Sequence, residues 1–173
     1  MWSGVVKTEW GFLAAAYTEK GLSMLTLPHK TKEDAIEELI FITSSFLPLR
    51  ELPKQVASDL KRYFRGEKIE FNYETDLFWA TPFQLKVLRT IKEIPYGEVW
   101  TYAQVAKKVG NLKAPRAVGQ ALHNNKLPLV FPCHRVIRKD KTLGGFRGGL
   151  ELKKKLLELE GSYPFELGVG QNG

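Results

Sequence analysis

The chain has 173 residues, 43% of them hydrophobic, which is enough for one compact domain or two small ones with a buried core. No apolar run approaches the roughly 18 residues of a membrane span, and the N-terminus lacks the basic start and apolar stretch of a secretory signal. With a single cysteine no intramolecular disulfide can form. The sequence therefore predicts a soluble cytoplasmic protein without a membrane partner.

Charge is divided unequally along the chain. Residues 1–78 carry ten Lys/Arg and twelve Asp/Glu, whereas residues 79–173 carry sixteen and seven. A basic second half suggests a polyanionic partner, with nucleic acid the first candidate. A solvated basic surface is the alternative, and charge alone leaves both open. The change of sign predicts two domains, 1–78 and 79–173.

The first half is predicted to be a small antiparallel sheet with two helices. β-Branched and aromatic runs predict strands over 2–8, 11–17 and 22–27. Thr31 and Asp34 form a helix start, and Pro48 and Pro53 separate that helix from a second one ending at Gly66. A further strand is expected over 69–73. The apolar faces of the two helices consist of Ala35, Leu39, Ile42, Phe46, Val56, Leu60, Tyr63 and Phe64.

The second half is predicted to be mostly helical. One helix starts at Thr81, which is followed by proline and then glutamine three residues after the cap. A second starts at Thr101 with the same capping pattern and ends at Gly110. A third runs from Arg116 to His123 after a turn at Ala114 and Pro115.

The last two of these helices fit a helix-turn-helix. In the usual form, long polar side chains on the second helix read base edges. Here that helix carries the short side chains of Ala114, Ala117, Gly119 and Ala121, with Arg116 as its one long probe. If the pair binds DNA, this favours shallow, sequence-tolerant docking. This stretch alone slightly favours the alternative, a packed helix pair in which small residues serve close helix contact.

Cys133 is the chain's candidate nucleophile. It is predicted to end an apolar strand and is followed by His134 and Arg135. The alternative is an inert thiol, since free cysteine is among the most buried residue types. Side chains of adjacent strand residues point to opposite faces, so a contact between Cys133 and His134 would need a water or a break in the strand.

Two further segments follow Cys133. Four glycines surround Phe146 and Arg147, which permits close backbone approach to a ligand but lacks the ending of a phosphate loop. Leu152, Leu156 and Leu159 predict a final helix that ends at Glu160 and Gly161. Residues 162–173 are expected to be a frayed tail.

Five segments, in this order and spacing, resemble the O6-alkylguanine-DNA alkyltransferases. The resemblance covers residues 80–161, and the central PCHRV is its most specific part. The first 78 residues match only in the size and type of domain. The segments are IPYGEVWTY, APRAVGQALHNN, PLVFPCHRVI, GGFRGG and LLELEG.

The resemblance implies an α+β fold: a small RNase H-like N-terminal domain of sheet and helices, and a mostly helical C-terminal domain with a helix-turn-helix. It implies an irreversible, single-use transfer of the alkyl group from O6-alkylguanine, and O4-alkylthymine, in double-stranded DNA. The protein would act as a monomer without a cofactor.

The resemblance also implies roles for individual residues. Cys133 would accept the alkyl group, with His134 as a base acting through water, Glu160 holding the imidazole and Asn125 bracing the turn. The base pocket would be formed by Tyr102, the backbone of Val136 and Arg147, and Phe146. Arg116 would replace the flipped nucleotide, while Ala114, Ala117 and Gly119 approach the minor groove.

This chain departs from the family in two places. Some relatives hold zinc in the N-terminal domain, but here that domain has no cysteine and only His29, so no metal site is expected. Arg147 stands where some relatives have a small hydroxyl residue. Three rival functions stay open: a lesion sensor that only binds, a helix-turn-helix regulator and a cysteine hydrolase.

Overall fold

The computed structural model describes residues 1–111 and 114–165 and divides the chain into two compact units. The first unit comprises 1–79 and 126–128, and the second comprises 80–125 and everything from 129 onward. The fold is mixed α/β, with a small antiparallel sheet and six helices in the described part of the chain.

The sheet of the first unit contains three strands in the order β1-β2-β3: Trp2–Thr8, Gly11–Thr18 and Gly21–Leu25. Two-residue turns join them, and Thr8 pairs with Gly11 and Thr18 with Gly21 across these turns. Residues 13–17 of β2 are all buried, so both faces of the central strand are covered.

Two helices pack on this sheet, α1 (Lys32–Thr43) on β2 and α2 (Lys54–Phe64) on β1. Thr31 caps α1 by accepting a hydrogen bond from the Asp34 backbone, as predicted. The expectation that Phe46 lies on the buried face is wrong. The helix ends at Thr43 because Ser44 adopts left-handed backbone (φ 56°), and Phe46 is 88% exposed.

The predicted strand over 69–73 is also wrong. This segment has no regular secondary structure and joins no ladder, and the nearest pairing is an isolated bridge between Leu22 and Thr75. Its alternating burial comes instead from packing on α2, where the Phe71 and Tyr63 ring centroids are 5.3 Å apart.

The second unit contains α3 (Pro82–Ile91), α4 (Tyr102–Lys108), α5 (Pro115–His123) and α6 (Leu150–Leu159). Two short parallel strands, β4 (Trp100–Thr101) and β5 (Val136–Ile137), pair Trp100 with Val136. Because α4 follows β4 directly, this pairing places the start of α4 beside β5, whose first residue lies three positions after Cys133.

Helix starts in the second unit follow the sequence pattern. Thr81 caps α3, and Thr101 and Gln104 form a reciprocal capping box at α4. The turn between α4 and α5 includes residues 112 and 113, which lie outside the described residues, as do 166–173 of the predicted tail. The helix-turn-helix and the RNase H-like type of the first unit stay predictions.

The expectation of a strand running into Cys133 is wrong. Leu129 has left-handed backbone (φ 69°), and residues 133–135 form a 3₁₀ turn. Proline at 128 and 132 cannot donate to a ladder, which explains why this apolar run does not extend as a strand. None of the helices among residues 1–111 and 114–165 is long and apolar enough to cross a membrane.

Candidate active site

Cys133 opens the 3₁₀ turn at the wall of a cavity of about 720 Å³. The thiol residue is only 8% exposed, and its backbone N–H donates to the Phe131 carbonyl at 2.8 Å. The cavity lies wholly within the second unit. Its wall is formed by Tyr102, Ala103, Pro115, Arg116, Gly119, Gln120, Leu122, His123, Cys133, Arg138, Lys139, Gly145, Phe146 and Arg147.

Six residues singled out in the sequence therefore meet at one cavity. They come from α4, α5, the 3₁₀ turn and the glycine-rich loop, and they are Tyr102, Arg116, Gly119, Cys133, Phe146 and Arg147. The other predicted site residues lie outside its wall. They are Ala114, Ala117, Asn125, His134, Val136 and Glu160.

His134 and Glu160 form a buried pair behind the thiol. His134 Nε2 lies 2.8 Å from Glu160 Oε2, and both side chains are at most 1% exposed. Arg135 completes the group by donating to Glu160 and, through Nη1, to the Ile94 carbonyl at 2.8 Å. Burial alone would raise the pKa of Glu160, but the charge of His134 and the hydrogen bonds from both neighbours outweigh it and lower the pKa to about 2.

This pairing determines the chemistry available to the imidazole. With Nε2–H donating to the carboxylate, the neutral ring keeps Nδ1 as a proton acceptor. Nδ1 is buried and has no hydrogen-bond partner among the described residues. Buried ring nitrogens are normally satisfied by protein or by ordered water, so Nδ1 fits a water-mediated base.

Asn125 contacts the segment that precedes Cys133. Its Nδ2 donates to the Phe131 carbonyl at 3.0 Å, and the residue is 3% exposed. Lys92 holds the neighbouring carbonyl, that of Val130, at 2.6 Å. Two side-chain donors therefore fix consecutive carbonyls just before Cys133.

Lys153 is the most unusual side chain near the site, because it is fully buried on α6. Its ammonium donates to the carbonyls of Val136, at 2.6 Å, and Gly145, at 3.2 Å, and also to that of Leu143. Burial lowers the pKa of Lys153 to about 8, although the nearby Cys133 opposes this shift. The lysine ties the start of β5 and the glycine-rich loop to α6.

Burial raises the pKa of the Cys133 thiol, while the Asn125 hydrogen bond and the charge of Lys153 lower it. The net direction is upward, which disfavours the reactive thiolate in the isolated protein. The Asn125 and Lys153 side chains thus partly counteract the effect of burial on the thiol pKa.

Tyr102, the first residue of α4, lines the same cavity as Cys133. Its hydroxyl donates to the Gly145 carbonyl at 3.3 Å, and burial raises its pKa, so it keeps its proton near neutral pH. Gly144 lies so close to this ring that a Cβ there would come within 2.8 Å of the phenol. Only glycine fits at this point of the loop.

The residues predicted to face DNA, and Val136 of the predicted base pocket, differ widely in exposure. Arg116 and Ala117 are exposed on α5, and Gly119 faces the Tyr102 ring. Ala114 is 9% exposed at the N-cap of α5. Val136 is fully buried in β5, where its N–H donates to the Cys133 carbonyl and its own carbonyl accepts from Lys153.

Sequence reasoning missed four charged residues at the site. Arg135 stood out only as a neighbour of the thiol, and nothing in the pattern gave a role to Lys153, Arg138 or Lys139. A helical-face signal for Lys153 was available, because it precedes buried Leu156 and Leu157 by three and four residues on α6.

Comparisons with family models, known sequences and solved structures all identify the same family. Residues 82–162 match the family model described as the DNA-binding domain of 6-O-methylguanine DNA methyltransferase. Methylated-DNA–protein-cysteine methyltransferase of Methanosarcina acetivorans is 36% identical over 94% of this chain and 99% of its own. The enzyme of the same name from Sulfurisphaera tokodaii is 39% identical over 91% and 92%.

Solved structures agree with these relatives. Mycobacterium tuberculosis OGT, crystallised in complex with DNA, is 32% identical and superposes with a TM-score of 0.78 over 94% of both chains. The O6-methylguanine-DNA methyltransferase of Pyrococcus kodakaraensis is 25% identical, with a TM-score of 0.75 over 92% of this chain and 99% of its own. With these identities over more than nine-tenths of its length, the chain belongs to the family of methylated-DNA–protein-cysteine methyltransferases.

Proposed function

We propose that this protein repairs DNA by moving the alkyl group of O6-alkylguanine onto Cys133, once per molecule. The observation that carries the proposal is the placement of the thiol at the wall of a cavity large enough for a nucleobase, with the buried His134–Glu160 pair starting at the next residue. O4-alkylthymine presents a similar alkyl carbon and is proposed as a second substrate.

The reaction is an in-line displacement at the alkyl carbon. A sulfur–carbon bond forms as the carbon–oxygen bond to guanine breaks. The proton of the thiol passes through water to Nδ1 of His134, and the imidazole then returns it through water to the departing guanine, so that the ring ends neutral. Atoms and charges therefore balance to give a thioether and an unmodified guanine.

Tyr102 is proposed as the donor to the leaving base. Its hydroxyl keeps its proton near neutral pH and is held at 3.3 Å from the Gly145 carbonyl, which a guanine nitrogen would replace as acceptor. The Phe146 ring and the backbone of Arg147 and Val136 would complete the base pocket. Donation to the departing guanine lowers the cost of its negative charge.

The alkyl carbon is inaccessible in stacked DNA, so the damaged nucleotide must be rotated out, at a cost of a few kcal/mol. We propose that α4 and α5 act as a helix-turn-helix whose small residues approach the minor groove. Arg116, exposed at the edge of the cavity, would fill the space left in the duplex. Such docking suits a protein that searches DNA with little sequence preference.

Each molecule is expected to react once. A thioether is not hydrolysed under physiological conditions, and the proposed mechanism contains no group that would restore the thiol. The reaction needs no cofactor in this scheme, because the thiol itself is the acceptor.

Intact mass spectrometry tests the proposal directly. After incubation with duplex DNA carrying O6-methylguanine, the protein should gain the mass of one methyl group, on the peptide containing Cys133. Cys133→Ala should gain nothing and leave the lesion in place. Removal of the lesion by Cys133→Ala would overturn the assignment.

Related measurements distinguish the three rival functions. A lesion sensor would hold the DNA without gaining mass, and a hydrolase would turn over an ester repeatedly. A sequence-reading regulator would prefer one unmodified duplex over others in competition.

A further inference from the structure

The outer edge of the sheet in the first unit is only partly paired. Strand β1 is an edge strand, because the sheet order is β1-β2-β3. Ser3 uses this edge, since its N–H donates to the Pro48 carbonyl at 2.8 Å and its carbonyl accepts from the Arg50 N–H at 2.7 Å. In an antiparallel strand the backbone groups of every second residue point to the same side. Val5 and Lys7 therefore direct their N–H and carbonyl groups outward, as Ser3 does.

The register of β1 and β2 supports this assignment. Val5 lies opposite Ala14, and Lys7 lies opposite Phe12. Phe12 exchanges two backbone hydrogen bonds with His29, at 2.7 and 2.8 Å, and Ala14 likewise bonds to the segment after β3. Both residues thus turn their backbone groups away from β1. In the part of the chain that the structure describes, the outward groups of Val5 and Lys7 have no hydrogen-bond partner.

The edge is open because the segment that pairs with Ser3 turns away. The Leu52 side chain packs on Gly4, where an added Cβ would lie 2.5 Å from Leu52 Cδ2, and the chain then enters α2. A groove of about 990 Å³ is left between α2 and the backbone of residues 5–9. All of its lining residues belong to the first unit.

The groove is strongly basic. Lys54 and Lys61 on α2 are exposed, and neither forms an ion pair within residues 1–111 and 114–165. Only two acidic residues line the groove, Glu9 and Glu51. Its basic residues are Lys7, Lys54, Lys61, Arg62 and Arg65. The excess of cations calls for an acidic ligand.

The backbone edge determines which acidic ligand fits. Val5 and Lys7 offer carbonyl acceptors as well as N–H donors, and a second backbone complements both. A nucleic acid would place phosphate oxygens, which only accept, against these carbonyls. A second copy of this chain would bring the same cations into the groove a second time, and like charges repel across paired strands. An extended acidic peptide avoids both conflicts.

We infer that an extended acidic segment of another protein binds this groove by adding a strand beside β1. Its backbone would pair with Val5 and Lys7, and every second side chain would point toward the lysines of α2. This binding site is separate from the alkyl-transfer chemistry, because the groove and the Cys133 cavity are formed by different units.

Charge variants give the first test. The probe is a fluorescent peptide of sequence Glu-Val-Glu-Val-Glu-Val-Glu with blocked ends, titrated with the full chain and followed by anisotropy. Lys54→Gln/Lys61→Gln should weaken binding about 5-fold, the effect of losing two exposed ion pairs. Lys20→Gln/Lys30→Gln removes the same charge from exposed positions of the first unit outside the groove and should leave the affinity unchanged. Equal weakening by both changes would show that net charge alone drives binding and would overturn the inference.

Two N-methylated peptides test the strand pairing. Because successive N–H groups of a strand point to opposite edges, methylating the amides of the Glu residues blocks one edge, and methylating those of the Val residues blocks the other. One of these peptides should bind on the order of 10-fold more weakly than the parent peptide, while the other keeps its affinity. The same affinity for both would overturn the proposed strand addition.

Amide hydrogen exchange, followed by NMR, locates the contact. The peptide should slow exchange at Val5 and Lys7 but not at Val6, whose N–H already points toward β2. Unchanged exchange at Val5 and Lys7 would overturn the inference. Slowing of the same two amides by an unmodified DNA duplex, or by raising the protein concentration without peptide, would assign the edge to nucleic acid or to a second copy, and would equally overturn the peptide assignment.

Discussion

Arg135 binds both oxygens of Glu160, with Nε 2.7 Å from Oε1 and Nη2 3.0 Å from Oε2. One of these oxygens also accepts from His134. The carboxylate therefore serves two purposes, since it balances a buried guanidinium and orients the imidazole. A change at Glu160 should affect stability and reactivity together.

Glu160→Gln leaves Arg135 buried beside a neutral partner. Breaking one side of a buried ion pair typically costs about 3–5 kcal/mol, and we expect a loss of this order in the free energy of unfolding from urea titration. Glu158→Gln is the control, because its partner Lys154 is 3.9 Å away on the exposed side of α6. That change should stay within about 0.5 kcal/mol. Equal losses in the two variants would contradict the assigned role of the pair.

The same carboxylate should make the free energy of unfolding depend on pH in the acid range. The pKa of Glu160 is lowered from 4.5 to about 2 in the folded protein, so its stabilising effect is complete above about pH 4.5 and is lost as pH falls toward 2. The difference in unfolding free energy between parent and Glu160→Gln should shrink over this window. The check is a series of urea titrations; a constant difference would argue against the lowered pKa.

Lys153→Met should change the pH profile of alkyl transfer. Removing the ammonium leaves burial of the Cys133 thiol less opposed, so the thiol pKa rises further and less thiolate exists at pH 7. For every tenfold drop in the thiolate population, the reaction at pH 7 should slow about tenfold. Because the pKa of Lys153 itself is lowered to about 8, the two proteins should differ most below pH 8.

The rate of reaction with O6-benzylguanine between pH 6 and 10 measures this effect. Lys155→Met, on the exposed side of the same helix, should follow the parent profile. A uniform loss of rate at every pH would indicate that Lys153 acts only by holding the loop.

Gly144→Ala should slow alkyl transfer by displacing the Tyr102 phenol. The added methyl group would lie 2.8 Å from the ring atoms and would also require left-handed backbone (φ 71°). A misplaced catalytic donor commonly costs on the order of 100-fold in rate. Gly145→Ala is the matched control, since no heavy atom lies within 4 Å of a Cβ at that position. Similar rates for the two variants would show that alkyl transfer does not require glycine at position 144.

Arg116→Ala should slow repair of duplex DNA far more than reaction with free O6-benzylguanine. The side chain is exposed at the edge of the cavity and is proposed to act on the duplex. Single-turnover rates with the two substrates give the comparison. Equal slowing of both reactions would contradict the proposed role of Arg116 in rotating the damaged nucleotide out of the duplex.

Local chemistry explains which elements could be predicted from sequence. Thr31, Thr81 and Thr101 each cap a helix by a side-chain hydrogen bond to the backbone three residues later, and this signal is contained in four consecutive residues. The segment before Cys133 carries no such signal. Its left-handed Leu129 is held by tertiary contacts, including the donors Asn125 and Lys92 that fix the next two carbonyls.

Site residues that belong to the ordered motifs could be predicted from sequence. Buried charged residues could not, because charged side chains usually lie on the surface. The apolar pattern of α6 pointed to Leu152, Leu156 and Leu159, but the buried positions are Lys153, Leu156, Leu157 and the C-cap residue Glu160. Two of these four are charged, and each is stabilised by partners distant in sequence. A rule that places charge on the surface necessarily misses them.

The return of residues 126–128 to the first unit has a consequence for dissecting this protein. The Lys126 carbonyl accepts from the Leu25 N–H at 2.9 Å, and only four residues, 129–132, separate this returning segment from Cys133. A fragment starting at residue 80 would release one end of the loop that carries the thiol. Such a fragment would therefore hold the Cys133 thiol less firmly. An active fragment would need a replacement for the hydrogen bond that Lys126 accepts from Leu25.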